Sequence, residues 1–132
     1  MSPDEIKSRT RRFNEEINKP DWQGAVDLFA ADSVPKSAEQ FRQEHEVFRK
    51  AFPDYHATIE ELLVEGNKTV MWLTLRATHQ AEFPVEELQG IPPTGTQATW
   101  EEVYFLEYND QGEVVNSRGL TDRLGRLQQL SA

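Results

Sequence analysis

Few side chains in this chain can move a proton or polarise a carbonyl near neutral pH, and their placement limits the chemistry open to it. The sequence contains no cysteine, which removes thiolate nucleophiles, disulfides and cysteine-held metals together. Its histidines, His45, His56 and His79, are scattered without ligand spacing, so no metal site is expected. Carboxylates, imidazoles and phenols remain. A carboxylate can remove a proton from a carbon next to a carbonyl if an apolar cavity raises its pKa and a neighbour donates to the developing oxyanion. Asp122 is one carboxylate whose surroundings leave such a role open. It closes a stretch in which Val114, Asn116, Arg118, Leu120 and Asp122 alternate onto one face, shared with apolar residues. The same position also suits an aspartate paired with Arg118 or capping the C-terminal tail.

Other residues are weighed in the same way. His79 sits on the apolar face of a strand with Met71, Leu73, Leu75 and Ala77, where it is either a satisfied core histidine or a donor to a substrate carbonyl. Arg118, two residues from Asp122 on the same predicted face, would form an ion pair with it. A cation there lowers an aspartate pKa and makes a weaker base, which suits carboxylate binding or an epoxide-opening Arg–Asp arrangement instead. Trp100, Glu102 and Tyr104 share a face, so Glu102 is either a second pocket carboxylate or a solvated outer residue. Trp72, Trp100, Tyr104 and Tyr108 belong to the core or an interface, or else wall a planar ligand. His45 lies between Phe41 and Phe48 on a helix face, packed or in contact with ligand, and His56 is expected to be exposed.

The elements that must position these groups can be read from periodicity. Ser2-Pro3-Asp4-Glu5 is a capping box, and Ile6, Phe13 and Ile17 continue a first helix to about residue 18. Trp22, Ala25, Val26 and Phe29 predict a second helix ending near Ala31, followed by a break from Asp32 to Lys36. Ser37 and Gln40 open a third helix, lined by Phe41, His45, Phe48 and Phe52 and stopped by Pro53. The period then changes to two. Strands are predicted over Ala57 to Glu65, Thr69 to Phe83, Thr96 to Tyr108 and Glu113 to about Asp122, with Gly66-Asn67 as a hairpin turn. The proline- and glycine-rich stretch 84–95 must be a loop, and Leu124 to Leu130 a short tail. Helices followed by a strand meander make an α+β domain: three N-terminal helices on a curved antiparallel sheet of about four main strands, leaving a conical cavity.

Composition narrows the function classes. The 132 residues fit a single domain spanning 1–132, and the formal net charge of −9 argues against nucleic acid as a partner. The densest basic stretch, Arg9, Arg11 and Arg12, lies among acidic neighbours on a helix. No apolar run is long enough to span a bilayer, and the polar N-terminus does not read as a signal peptide, so a cytoplasmic location without membrane contact is expected.

Three motifs then carry a resemblance. Phe52-Pro53-Asp54 with Glu65-Gly66-Asn67-Lys68, Thr78-His79 with Glu82-Phe83 and Gly90-Ile91-Pro92-Pro93-Thr94-Gly95, and Asp122-Arg123-Leu124-Gly125 with Leu127-Gln128-Gln129-Leu130 occur in order over roughly residues 52–130. The chain thereby resembles the SnoaL-like polyketide cyclases (ester cyclases), a branch of the nuclear transport factor 2-like superfamily. The resemblance implies a cone-shaped domain, often a homodimer through the outer sheet surface, that closes polyketide rings by cofactor-free aldol chemistry. It also implies Asp122 as general acid/base, with His79 in support. Three departures fall near the expected pocket: a short Asp32 to Ser37 segment, an insertion at Pro84-Val85-Glu86-Glu87-Leu88, and Arg118 where the family commonly has tryptophan.

The leading expectation is therefore a cofactor-free cyclase or isomerase acting on a small apolar or polyketide-like ligand. Asp122 and His79 are its catalytic residues, and Arg118, Trp100, Glu102, Tyr104 and His45 its substrate-binding set. The alternatives are a non-catalytic binding domain of the same fold, and an epoxide hydrolase-like enzyme.

Overall fold

The computed structural model describes residues 1–131. Helix α1 (Pro3–Ile17) starts as its capping box dictates: the Ser2 hydroxyl accepts from the Glu5 N–H at 3.2 Å. A single turn, α2 (Gln23–Val26), leads to strand β1 (Phe29–Val34) and then to α3 (Ala38–Ala51), capped by Ser37 on the Gln40 N–H. The remaining elements are β2 (His56–Glu65), β3 (Lys68–Thr78), β4 (Gln97–Tyr108), β5 (Val114–Thr121) and α4 (Arg123–Leu130), with a 3-10 turn over Glu86–Leu88. Gly66 and Gly112 take left-handed backbone angles at the two hairpin turns, where a side chain would be strained.

The sheet runs β1-β5-β4-β3-β2, antiparallel except for β1, which pairs parallel to β5. Its inner face carries Met71, Leu73, Leu75, Ala77, Trp100 and Leu106, closed over by Ile6, Phe13 and Ile17 of α1 and Phe41 and Phe52 of the α3 segment. The α+β expectation holds, with one strand and one C-terminal helix more than predicted. Phe29, expected in the second helix, belongs instead to β1. The Val114 N–H donates to the Leu28 carbonyl at 2.8 Å, and the Phe29–Val34 backbone completes the sheet edge. Pairing of exposed backbone groups outweighs a four-residue helical pattern here.

Two further differences bear on the site. Strand β3 stops at Thr78, not Phe83, because the Gln80 N–H turns away to the Ala51 carbonyl at the end of α3 (2.8 Å). Strand β5 contains a bulge: Tyr108 pairs with Val114 but Glu107 with Asn116, leaving Val115 extra. One additional residue exchanges the two faces for the rest of the strand. Val114 is therefore inside, but beyond the bulge Ser117, Gly119 and Thr121 oppose the inner residues Leu106, Tyr104 and Glu102, and Arg118 and Leu120 face outward. No helix among the described residues is long and apolar enough to cross a membrane.

Candidate active site

A cavity of about 200 Å³ lies between the inner sheet face and helices α1 and α3, with α4 and the 3-10 turn at its rim. Apolar and aromatic side chains form most of the wall, including Phe13, Phe41, Phe48, Met71, Leu73 and Phe83. Into this apolar space project Glu102 and Tyr104 of β4, Thr121 of β5, His45 of α3, Tyr55, and Arg126 of α4.

Glu102 is the carboxylate best placed to act as an acid or base. Its cross-strand partner Thr121 donates its hydroxyl to Oε2 at 2.6 Å. Burial raises its pKa; the Thr121 bond and the charges of Arg126 and Lys36 oppose that rise, and Glu86 adds to it. Tyr104 stacks on Phe13 with ring centroids 5.9 Å apart. Its phenol is pushed up by burial and by the Glu102 charge, so it remains a proton donor. Tyr55, edge-on to His45 and Phe48, is held protonated chiefly by burial as well.

His45 is fixed in one protonation state. Arg49 places Nη1 3.3 Å from His45 Nε2, and a guanidinium can only donate, so Nε2 accepts and the ring proton sits on Nδ1. Burial and the Arg49 charge push the imidazole pKa down to about 3. The ring is therefore neutral at physiological pH. Arg49 is itself held by the Ile17 and Lys19 carbonyls at 2.8 and 2.9 Å, tying α3 to the end of α1. At the mouth, Lys36 pairs with Glu44 at 2.6 Å.

Of the residues predicted from sequence, the cavity brings together His45, Glu102 and Tyr104. Trp100 is one layer behind, buried against Phe48, Phe52 and Arg126. His79 is fully buried but stacked on Phe52, away from the lining, and its Nδ1 accepts the Thr94 N–H at 3.3 Å. It anchors the 79–96 loop through Nδ1, while its buried Nε2 has no hydrogen-bond partner among the described residues. Arg118 is on the outer face, donating to Asn116 Oδ1 at 3.3 Å, and makes no ion pair with Asp122 among the described residues. The Arg–Asp arrangement behind an epoxide-opening reaction is thus not formed. Asp122 is exposed and is the N-cap of α4, its Oδ1 accepting the Gly125 N–H at 3.0 Å. The capping alternative is the one found. The bulge at Val115 is the reason: it turns the predicted Arg118–Leu120 face to solvent.

Sequence reasoning missed Tyr55, Thr121 and Arg126. Tyr55 follows the Phe52-Pro53-Asp54 motif, and Arg126 falls within the C-terminal motif, in a stretch read only as a tail. The helical spacing of Leu127 and Leu130 with Arg126 was the available signal for α4. Among the described residues no group of histidine and carboxylate side chains is arranged to hold a metal ion.

The sequence profile of the SnoaL-like polyketide cyclase family matches residues 8–130. AclR of Streptomyces galilaeus, named as a candidate hydroxylase, is 26% identical and matches over 98% of each chain with a TM-score of 0.84. A candidate polyketide cyclase of Acidithiobacillus ferrooxidans is also 26% identical, covering 99% of this chain and 98% of its own, with a TM-score of 0.78. IdmH of Streptomyces antibioticus, a candidate polyketide cyclase, shares the fold at 20% identity, covering 96% of this chain and 99% of its own, with a TM-score of 0.80. Among curated proteins none matches the sequence.

Proposed function

The chain belongs to the SnoaL-like polyketide cyclase family, with its nuclear transport factor 2-like cone, and from that premise we propose a cofactor-free aldol-type cyclase or isomerase whose acid/base is Glu102. The observation that carries this reading is a carboxylate with a raised pKa in an apolar cavity, bonded by Thr121 and flanked by phenols. Ionised Glu102 takes a proton from a carbon next to a substrate carbonyl, and the C–H electron pair becomes the enolate. The enolate carbon then forms a bond to a second carbonyl carbon of the same molecule. The resulting alkoxide takes back the proton held by Glu102, so the cycle balances without an external acid. Tyr104 and Tyr55, kept protonated by burial, are the donors suited to the developing oxyanions. His45, neutral with its proton on Nδ1, adds a further polar contact.

Asp122 suits this role less well, because it is exposed and its carboxylate is engaged at the α4 N-terminus. The test is α-proton exchange of 2-tetralone in D₂O, followed by proton NMR. Wild type is expected to accelerate exchange, and Glu102→Gln to lose that acceleration. Equal exchange in wild type and Glu102→Gln would sink the assignment.

The outer sheet face supports the family's dimer as part of this proposal. Trp72, Val103 and Leu120 lie there 43%, 45% and 79% exposed, an unusually apolar surface for a solvated sheet. Sedimentation should report two copies at micromolar concentration, and Val103→Lys with Leu120→Lys should give one. A wild-type monomer would rule the dimer out.

A further inference from the structure

Arg126 is the cavity group that the acid/base reading leaves unused. It is 3% exposed in a wall of the cavity, an unusual place for a guanidinium. Its plane is held by carboxylates on Nε and Nη2 and by two aromatic rings. Nε donates to Glu87 Oε1 at 2.9 Å, and Nη2 donates to Glu87 Oε1 at 2.6 Å and to Glu86 Oε2 at 3.1 Å. The guanidinium carbon lies 5.1 Å from the Trp100 ring centroid and 5.7 Å from that of Phe83. Both carboxylates come from the 3-10 turn in the inserted loop, where Glu86 adopts a left-handed backbone (φ 60) that side chains seldom take. Nη1 has no hydrogen-bond partner among the described residues.

From this arrangement we propose that Arg126 anchors the carbonyl oxygen of an uncharged, compact substrate of one or two rings. The proposal rests on the cavity of the preceding reading and adds its ligand class. A guanidinium held by three bonds loses little freedom when Nη1 takes a carbonyl oxygen. Its charge is already balanced by Glu86 and Glu87, and Lys36 by Glu44. Among the described residues Glu102 is the cavity carboxylate that makes no ion pair, so its charge disfavours a carboxylate ligand over a ketone or ester. Size points the same way. An apolar cavity of about 150 Å³ accommodates benzene, so the 200 Å³ here suits one ring or two.

The test compares two probes of equal shape, 2-acetylnaphthalene and 2-naphthoate, by titration calorimetry at pH 7.5. The ketone should bind wild type at least about tenfold more tightly than the acid, and Arg126→Met should weaken the ketone by on the order of tenfold. With a ¹³C-labelled carbonyl, the bound ketone should show the downfield shift of a hydrogen-bonded carbonyl in wild type and lose it in Arg126→Met. Glu87→Gln, which leaves part of the Arg126 charge unbalanced, should narrow the preference for the ketone. Arg126→Lys gives the same readout if Arg126→Met does not fold, because lysine lacks the planar fork. Glu102→Gln should retain the carbonyl shift, so loss of proton exchange with a retained shift counts against Glu102 alone. Tighter or equal binding of naphthoate to wild type would overturn the proposal. So would no ketone binding, or a carbonyl shift unchanged in both Arg126 variants.

Discussion

Glu102 and Asp122 are carboxylates at the same end of adjacent antiparallel strands, yet they stand in opposite environments. Glu102 pairs across the ladder with Thr121, the residue just before Asp122, so only a short stretch of backbone separates the two environments. One carboxylate points into an apolar cavity, where desolvation raises its pKa. The other faces water and caps a helix, where its charge meets the positive end of the α4 dipole. The face on which each side chain leaves its strand sets these two environments.

The sharpest way to break this contrast is a paired substitution. Glu102→Gln should reduce 2-tetralone exchange by on the order of 10²–10³-fold, a usual loss for a general base, while Asp122→Asn should leave it within about threefold. The reverse outcome would return the acid/base role to Asp122. Stability against pH separates the buried groups next. His45, depressed from 6.5 to about 3, takes up a proton on unfolding between those values, so stability present above 6.5 is lost as pH falls through that window. Urea midpoints measured from pH 7 to pH 4 should drop less in His45→Asn than in wild type, and parallel curves would show that the imidazole is solvated.

Glu102 has the opposite sign. Its folded pKa is raised, so the folded state holds a proton that the unfolded state has released, and stability falls as pH rises from about 4.5 through the folded value. Glu102→Gln should therefore melt higher than wild type at pH 8, with the gap shrinking at pH 4. Asp122→Ala should have the smallest effect, a loss of about 1 kcal/mol in denaturant unfolding, the usual cost of an N-cap. No loss at all would mean that the α4 cap is not formed in solution.

Much of the fold could be read from patterns that depend on neighbours in sequence. The Ser2 and Ser37 caps, the strand β3 alternation and the Gly66 turn are all local signals, and all are present. What failed depended on distant partners. Phe29 continues a helical spacing, and only the unpaired edge of β5 draws it into a strand. Val115 is an ordinary strand residue, so nothing in its identity announces the bulge that turns Arg118 and Leu120 outward. For the site, alternation grouped Trp100, Glu102 and Tyr104 correctly but could not say which face was inside. His79 is buried on the apolar face that its alternation gives, but Phe52 covers it there, and the cavity lies further along the strand. Arg126 was invisible because its value comes from Glu86 and Glu87, about forty residues away across an inserted loop.

Whether Glu102 is the cavity's proton-transfer carboxylate is decided by its own titration. Carboxyl-carbon NMR of uniformly labelled protein, with Glu102→Gln to assign the signal, should place its midpoint clearly above the ordinary glutamate value of 4.5. A midpoint at or below that value would mean that water or a cation keeps Glu102 ionised, and the acid/base assignment would be wrong.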